Sequence, residues 1–238
     1  GTMQMNLKIS KYHKKQHNKI YRSTELFLKF VELHENLNNK VILDAGCGAG
    51  ANTIYLAKKF PKSFIIGIDS NKDAINFAKL ISKSKGIKNC NFYYSNILNF
   101  KKKIKIDIVL SFHFLSFTTV VYEKFLKKFC DLKVSSMAHS SLFFEGFTEA
   151  KIDVNDFSKS ELDFSPYNII SIPKVKKFLK NYKYKFFDFL MMQLDRNLKK
   201  PKHRGMGSYT KKDSNGKNYI MSGPLYLPHG YFYCSKWK

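Results

Sequence analysis

Residues Val41-Ile-Leu-Asp44-Ala-Gly46-Cys-Gly48-Ala-Gly50-Ala-Asn-Thr53 constrain this chain more than any other stretch. A short apolar, β-branched run ends in an acid, a G-x-G-x-G turn follows, and a helical pattern then runs to Lys59. Glycine is needed where main chain must turn sharply or let a ligand approach without a Cβ in the way. Strand, glycine turn and helix in that order open a parallel sheet with helices packed on it. The spacing is one residue shorter than the dehydrogenase G-x-G-x-x-G. No Gly-Lys-Ser/Thr ending makes it a phosphate-binding P-loop.

Three more apolar runs follow. Ser63–Ile68 ends at Asp69-Ser70, Cys90–Tyr94 leads into Ser95-Asn96-Ile97, and Ile106–Leu110 leads into Ser111-Phe112-His113. An acid at the tip of the second strand is placed to accept hydrogen bonds from both hydroxyls of a ribose. Helical patterns separate these runs at Asn52–Lys59, Asn71–Lys85 and Val121–Val134, with Asn71 as an N-cap. A fifth strand is predicted at Ser141–Glu145, and Gly146–Asn168 shows no clear period. Ser171-Ile-Pro173 opens a helix to Asn181, with Ser as cap and Pro in the first turn. Lys185–Leu194 and Gly230–Ser235 read as the last two strands of the sheet.

The four strand ends, with Asp44-x-Gly-x-Gly-x-Gly followed by Asp69, resemble the class I S-adenosylmethionine-dependent methyltransferases from about Lys40 to Phe117. The resemblance implies an α/β, Rossmann-like fold. Its mostly parallel seven-stranded sheet would carry helices on both faces and end in a C-terminal antiparallel hairpin. It also implies S-adenosyl-L-methionine as cofactor, with the turn from Gly46 through Cys47 and Gly48 bearing on its methionine and ribose. Asp69 and Ser70 would hold the ribose, Asn96 and Ile97 would face adenine, and Ser111 would complete the floor. Asp44 would brace the turn or meet the cofactor's ammonium through water. The departure is Asn96, where the family more often has Asp; an Asn carbonyl accepts the same hydrogen bond.

Residues 1–39 read as a helical extension with an apolar stripe of Leu26, Phe27, Phe30 and Leu33. Its aromatic start, including Tyr12 and Tyr21, is placed to close over the cofactor as a lid. Residues 40–238 read as one methyltransferase domain, with an insertion at about 195–228 forming a flap on the acceptor side. Within it Lys199-Lys-Pro-Lys-His-Arg204 is basic, Ser214-Asn-Gly216 is a turn, and Tyr219–Met221 is set to pair back as a hairpin. Tyr209 and Tyr226 are candidates to close an acceptor pocket.

The formal charge of +24 points to phosphate-bearing partners, but only Arg22, Arg196 and Arg204 among 42 basic residues are arginine. Arginine is the residue that forks onto phosphates and bases, so a solvated lysine surface outweighs a nucleic-acid face. Cys47, Cys90, Cys130 and Cys234 have no C-x-x-C spacing, against both a zinc site and a disulfide framework. His13 and His17 are four apart but lack a third ligand, so no metal is expected. No apolar run is long enough to span a bilayer, and the scattered cysteines, without a disulfide framework, read as those of a cytoplasmic protein.

His113, just past the fourth strand, is the candidate general base; flanked by Phe112 and Phe114, it could equally be a wall of the pocket. An unperturbed imidazole there would give a rate rising through neutral pH. His203 and His229 read as exposed loop histidines. Ser111-Phe-His-Phe114 stands where acceptors that are base nitrogens or glutamine amides go with Asn/Asp-Pro-Pro-Phe/Tyr, and no Pro-Cys pair is present for pyrimidine carbons. Met206–Thr210, Ser222-Gly-Pro224 and Leu227-Pro228 resemble the tail of methyltransferases from bacterial surface-polysaccharide gene clusters. That favours a small anionic acceptor, a sugar, nucleotide-sugar or phosphorylated glycan precursor. An RNA methyltransferase and a non-catalytic cofactor-binding protein are the alternatives.

Overall fold

The computed structural model describes residue 17 and residues 19–101, 103–158 and 163–237. Tyr12 and His13 lie outside the described residues. The chain divides into two compact units: one running to Phe112 and taking in Lys124–Ala138, the other made of His113–Glu123 and His139–Lys238.

The first unit holds α1 (Arg22–Glu32), β1 (Val41–Ala45), α2 (Ala51–Lys59), β2 (Phe64–Asp69), α3 (Lys72–Ser84), β3 (Cys90–Tyr94) and β4 (Ile108–Phe112). Most of α4 (Tyr122–Asp131) and the first residues of β5 (Ser136–Phe144) complete it. The strands lie in the order β3-β2-β1-β4-β5. β1 is parallel to β2 and to β4, with Leu43 level with Ile66 on one side and Val109 on the other. β3 runs parallel to β2, with Tyr94 level with Asp69. The chain steps outward from β1 to β3 and then returns to the other side of β1. That reversal is where parallel sheets open a crevice at the strands' carboxyl ends. β1 is buried from Ile42 to Ala45, and a parallel strand covered on both faces reads as a continuous apolar run.

Asn71 caps α3, its side chain accepting from the Ala74 N–H at 3.0 Å, as its position before the helix predicts. α1 buries Phe27, Leu28, Phe30 and Val31, each worth ~1.5–3 kcal/mol if fully removed from water. Leu33, expected in that stripe, is 77% exposed. Its backbone is still α-helical, the N–H donating to the Lys29 carbonyl, and the helical period turns it away from the face that buries Thr24, Phe27, Leu28 and Val31.

The second unit contains the rest of β5 followed by β12 (His229–Ser235) and β8 (Phe186–Met191), which pair antiparallel as the closing hairpin. The sheet is mostly parallel and Rossmann-like, with seven strands on its main path and two more pairing off it. Ser171 caps α5 (Ile172–Lys180), accepting from the Lys174 N–H, with Pro173 in the first turn. β9 (Ser208–Lys212), β10 (Asn218–Ser222) and β11 (Leu225–Tyr226) form a separate antiparallel sheet inside the insertion. The turn before β10 forms as predicted, with Gly216 at φ +79° and Asp213 accepting from the Asn215 and Lys217 N–H groups.

Two readings need correction. Gly146–Asn168 is not unpatterned: it holds β6 (Ala150–Asp156) and most of β7 (Asp163–Ser171), an antiparallel pair. Ala150, Ile152 and Val154 alternate with Lys151, Asp153 and Asn155, and burial follows that alternation. β5 begins at Ser136 rather than Ser141, because its small residues Ala138, Ser140 and Ser141 fit a strand buried along most of its length. Among the described residues, no helix is long and apolar enough to cross a membrane.

Candidate functional site

In the first unit the expected cofactor residues come together at the carboxyl ends of β1 to β4. The glycine turn is tied to β2, with the Gly46 and Cys47 N–H groups both donating to the Ile68 carbonyl at 2.9 Å. Gly46, Gly48 and Gly50 have φ of +72°, +56° and +80°, a sequence of left-handed residues that side chains would oppose. Asp69 then locks the turn from below: Oδ2 accepts from the Gly48 N–H at 2.8 Å and Oδ1 from the Asn71 N–H at 2.8 Å. Each carboxylate oxygen keeps lone-pair capacity beyond that one backbone donor, which is what two ribose hydroxyls require.

Asp44 is 1% exposed, and its Oδ2 accepts from the Thr53 hydroxyl at 2.6 Å. Burial pushes its carboxyl up to about 7, against the Thr53 hydrogen bond and with help from the charge of Asp69. A buried carboxylate whose only charged influence is another carboxylate is a receptor for a cation. The ammonium and sulfonium of S-adenosylmethionine are cations, so the residues fit that molecule. Cys47 is half-buried in the turn, its thiol held protonated first by burial and then by Asp44 and Asp69, which makes it filler rather than nucleophile.

Asn96 does not hang free: its side-chain oxygen accepts from the Leu98 N–H at 3.0 Å, fixing the amide beside buried Ile97. Ser70 is exposed and Ser111 fully buried. Tyr21 caps the start of α1 through its carbonyl, and burial pushes its hydroxyl up. One residue was overlooked. His17 Nε2 lies 2.6 Å from the Ala49 carbonyl, inside the glycine turn, and its ring meets Phe77 edge-on at 5.3 Å. In sequence His17 shows only as part of the aromatic start of the helical extension, four residues from His13.

In the second unit His113 has φ +54°, and its N–H donates to the Ser140 carbonyl at 2.8 Å. Its ring stands edge-to-face with His229, centroids 5.1 Å apart, and with Phe117 at 6.1 Å. His229 is therefore not the exposed loop histidine its Pro-His-Gly setting suggests. Burial pulls His113 down to about 4 and His229 to about 3, the latter further opposed by His113. Both are neutral at physiological pH. A rate limb set by His113 accordingly belongs in the acid range rather than near neutrality.

The remaining candidates lie in the insertion. Arg204 is exposed, in a turn with φ +58°. Tyr209 donates its hydroxyl to the Gly223 carbonyl at 2.9 Å under the Lys200 ammonium, and Tyr226 meets Tyr219 edge-on at 5.5 Å. Tyr209 and Tyr226 both pair with Met221, so they share one face of the small sheet. Lys199, Lys200 and Lys202 are exposed beside it.

Residues 36–142 match a family described as a methyltransferase domain. The chain is 36% identical over 73 residues to the release factor glutamine methyltransferase of Buchnera aphidicola, a match covering 31% of this chain and 26% of that relative. It is 38% identical over 61 residues to an uncharacterized RNA methyltransferase of Leptospira interrogans, covering 26% of this chain and 15% of the other. The chain thus spans about a quarter or less of these relatives' length. Among solved structures it is similar to magnesium protoporphyrin IX methyltransferase of Synechocystis, crystallised with the bound cofactor. There the TM-score is 0.55 at 13% identity, over 96% of this chain and 85% of that one. TehB of Haemophilus influenzae gives a TM-score of 0.55 at 16% identity, over 95% and 66%.

Proposed function

We propose that the chain, whose residues 36–142 match a methyltransferase domain, is a class I S-adenosylmethionine-dependent methyltransferase that transfers the methyl group to a small anionic acceptor. The acceptor atom is an oxygen or nitrogen of a sugar, nucleotide-sugar or phosphorylated precursor of a surface glycan. The observation that carries the cofactor half is Asp69, fixed by two backbone donors under the glycine turn with acceptor capacity to spare. Bound there, S-adenosylmethionine supplies an electrophilic methyl group with a built-in leaving group.

The chain's own residues hold and align. Asp69 takes the ribose, Asn96 and Ile97 take the adenine, and buried Asp44 balances the positive end. His17 on the glycine turn supports the reading of residues 1–39 as a lid, with Tyr21 at its hinge. Alignment contributes because holding two reactants in line replaces a bimolecular encounter. On the acceptor side, Lys199, Lys200, Lys202 and Arg204 would draw in an anion, with Tyr209 and Tyr226 beside them on the flap. His113 would face the reacting group. The absence of a Pro-Pro element after β4 argues against base-nitrogen and glutamine acceptors.

An RNA acceptor is the second reading, favoured by the net charge of +24. Calorimetry with S-adenosylhomocysteine tests the cofactor half. Release of that product with phosphorylated and nucleotide-linked sugars, set against RNA, tests the acceptor half. Release with RNA alone would replace the small-acceptor reading.

A further inference from the structure

The small sheet of the insertion has two unlike faces. Directly opposed residues of an antiparallel pair point to one side, and residues two apart along a strand share it. Tyr219 is level with Lys211, and Met221 with both Tyr209 and Tyr226, so these five side chains share one face. Asn218, Ile220 and Ser222 take the other, where Ile220 and Ser222 are buried. On the first face Lys211 and Tyr226 are exposed, and Tyr209, Tyr219 and Met221 are half-buried. Apolar surface gathered in one place and left open to water marks a place where something binds.

The rings are held in position. The Tyr209 hydroxyl donates to the Gly223 carbonyl at 2.9 Å and the Tyr219 hydroxyl to Asp213 at 3.2 Å. Tyr226 meets Tyr219 edge-on. Groups fixed before binding lose little freedom when a ligand arrives. Lysine ends lie over two of the rings: the Lys200 ammonium is 5.2 Å from the centre of Tyr209, and the Lys217 ammonium 5.2 Å from that of Tyr219. Both lysines are exposed. Residues 195–228 hold eight basic residues against two acids, Asp195 and Asp213. Asp213 is taken up by its own turn, accepting from the Asn215 and Lys217 N–H groups.

We infer that this face binds a single-stranded polynucleotide, with bases stacked on Tyr226, Tyr219 and Tyr209 and phosphates against Lys200, Lys211 and Lys217. The inference goes beyond the methyl-transfer reading, concerns the second unit by itself, and holds whichever acceptor is methylated. Charge complementarity selects the phosphates and the rings select the bases. Stacking on an aromatic side chain takes any base, provided that the base is unpaired and free to leave its neighbours. In a duplex the base faces are already covered, so a duplex offers only its phosphates. Tyr226 and Tyr209 stand two strands apart, roughly 10 Å, which suits successive bases better than one nucleotide. Six of the eight basic residues are lysine. Lysine attracts phosphate as a point charge without forking onto base edges, so binding should tolerate sequence.

The experiment is fluorescence anisotropy of a labelled oligouridylate of about eight nucleotides with the full chain, competed by unlabelled molecules. An oligomer of another sequence should compete at a similar concentration. An RNA duplex of that length, an abasic oligomer with as many phosphates, and uridine monophosphate should each need roughly tenfold more or beyond. Tyr226→Ala should weaken binding roughly 5–100-fold, the loss of one stacked base, and Tyr226→Phe should stay within about twofold of wild type. Lys200→Gln, Lys211→Gln and Lys217→Gln together should flatten the log–log salt dependence by ~2, at ~0.7 per phosphate contact. A duplex or abasic oligomer that competes as well as the single strand would leave charge alone and overturn the inference. Wild-type affinity in Tyr226→Ala would overturn it too, as would no binding of the oligouridylate. Uridine monophosphate competing at the oligomer's concentration would make the face a mononucleotide site and overturn it as well. Should Tyr226→Ala fail to fold by circular dichroism, NMR of wild type with ring-labelled tyrosines decides instead. The Tyr209, Tyr219 and Tyr226 signals must move when the oligomer is added, and still signals would overturn the inference.

Discussion

Gly50 is where the first unit has least room for change, and Gly50→Ala tests the packing behind the glycine turn. A Cβ there would stand 2.5 Å from Phe92 Cε1, 2.7 Å from Phe92 Cζ and 2.8 Å from Ala78 Cβ. Phe92 is 5% exposed and Ala78 fully buried, so neither can retreat into solvent. The backbone at φ +80° costs an L side chain ~1–2 kcal/mol. Forcing a methyl into a closed contact costs ~1–3 kcal/mol more. Together these give a loss of about 2–5 kcal/mol. Gly86→Ala isolates the first part, since Gly86 has φ +65° and nothing within 4 Å of its would-be Cβ. It should lose only ~1–2 kcal/mol. Urea unfolding followed by far-UV circular dichroism reads both as midpoint shifts at constant slope. In a Phe92→Leu background the Gly50→Ala cost should fall by ~1 kcal/mol or more, because the opposing ring is gone. Equal costs at Gly50 and Gly86, or strict additivity with Phe92→Leu, would refute the steric account.

Asp69→Ala should weaken S-adenosylhomocysteine binding by ~1.5–3 kcal/mol, the loss of hydrogen bonds to a charged acceptor; unchanged calorimetric affinity would remove Asp69 from the ribose. Acid should destabilise the fold. His113, His139 and His229 have folded values of about 4, 3 and 3 against an ordinary 6.5, so the unfolded chain takes up more protons as pH falls below 6.5. Asp44, raised to about 7, works the other way over the same range. With one proton counted for each of the three histidines, less the one at Asp44, the net is about two protons, or ~2.7 kcal/mol per pH unit. A thermal midpoint flat from pH 6.5 downward to 4.5 would count against these burials. If RNA binds at all, the slope of log affinity against log salt should be steep, near −0.7 per phosphate contact. A shallow slope in filter binding leaves the small acceptor in place.

What could be read from sequence follows how local each signal is. Asp44, the glycine turn and Asp69 announce themselves because each strand end carries its own acid or glycine, and Asn71 and Ser171 cap where short-range rules put them. β6 was legible too: Ala150, Ile152 and Val154 alternate strictly, but Asp153 and Asp156 made the segment look like a polar loop. The start of β5 is hard to see because Ser136–Ser141 holds few of the large apolar residues that mark a strand, although burial there suits small ones. His229 was not legible. Its burial depends on a partner 116 positions away at His113, and nothing in Pro-His-Gly records that pairing.

Asp44 makes loading the cofactor an acid–base event. A buried carboxyl balanced at about 7 is partly protonated at physiological pH. When a positively charged ligand settles beside it, the ionised form gains and the proton leaves. That proton goes to the buffer, so the measured heat of binding will carry the buffer's own ionisation enthalpy. Titrations of S-adenosylmethionine in phosphate and in Tris should then report different heats at one affinity, and Asp44→Asn should make them the same. Affinity itself will climb with pH through neutrality, so the protein's occupancy at a fixed cofactor supply becomes a readout of the acidity around it.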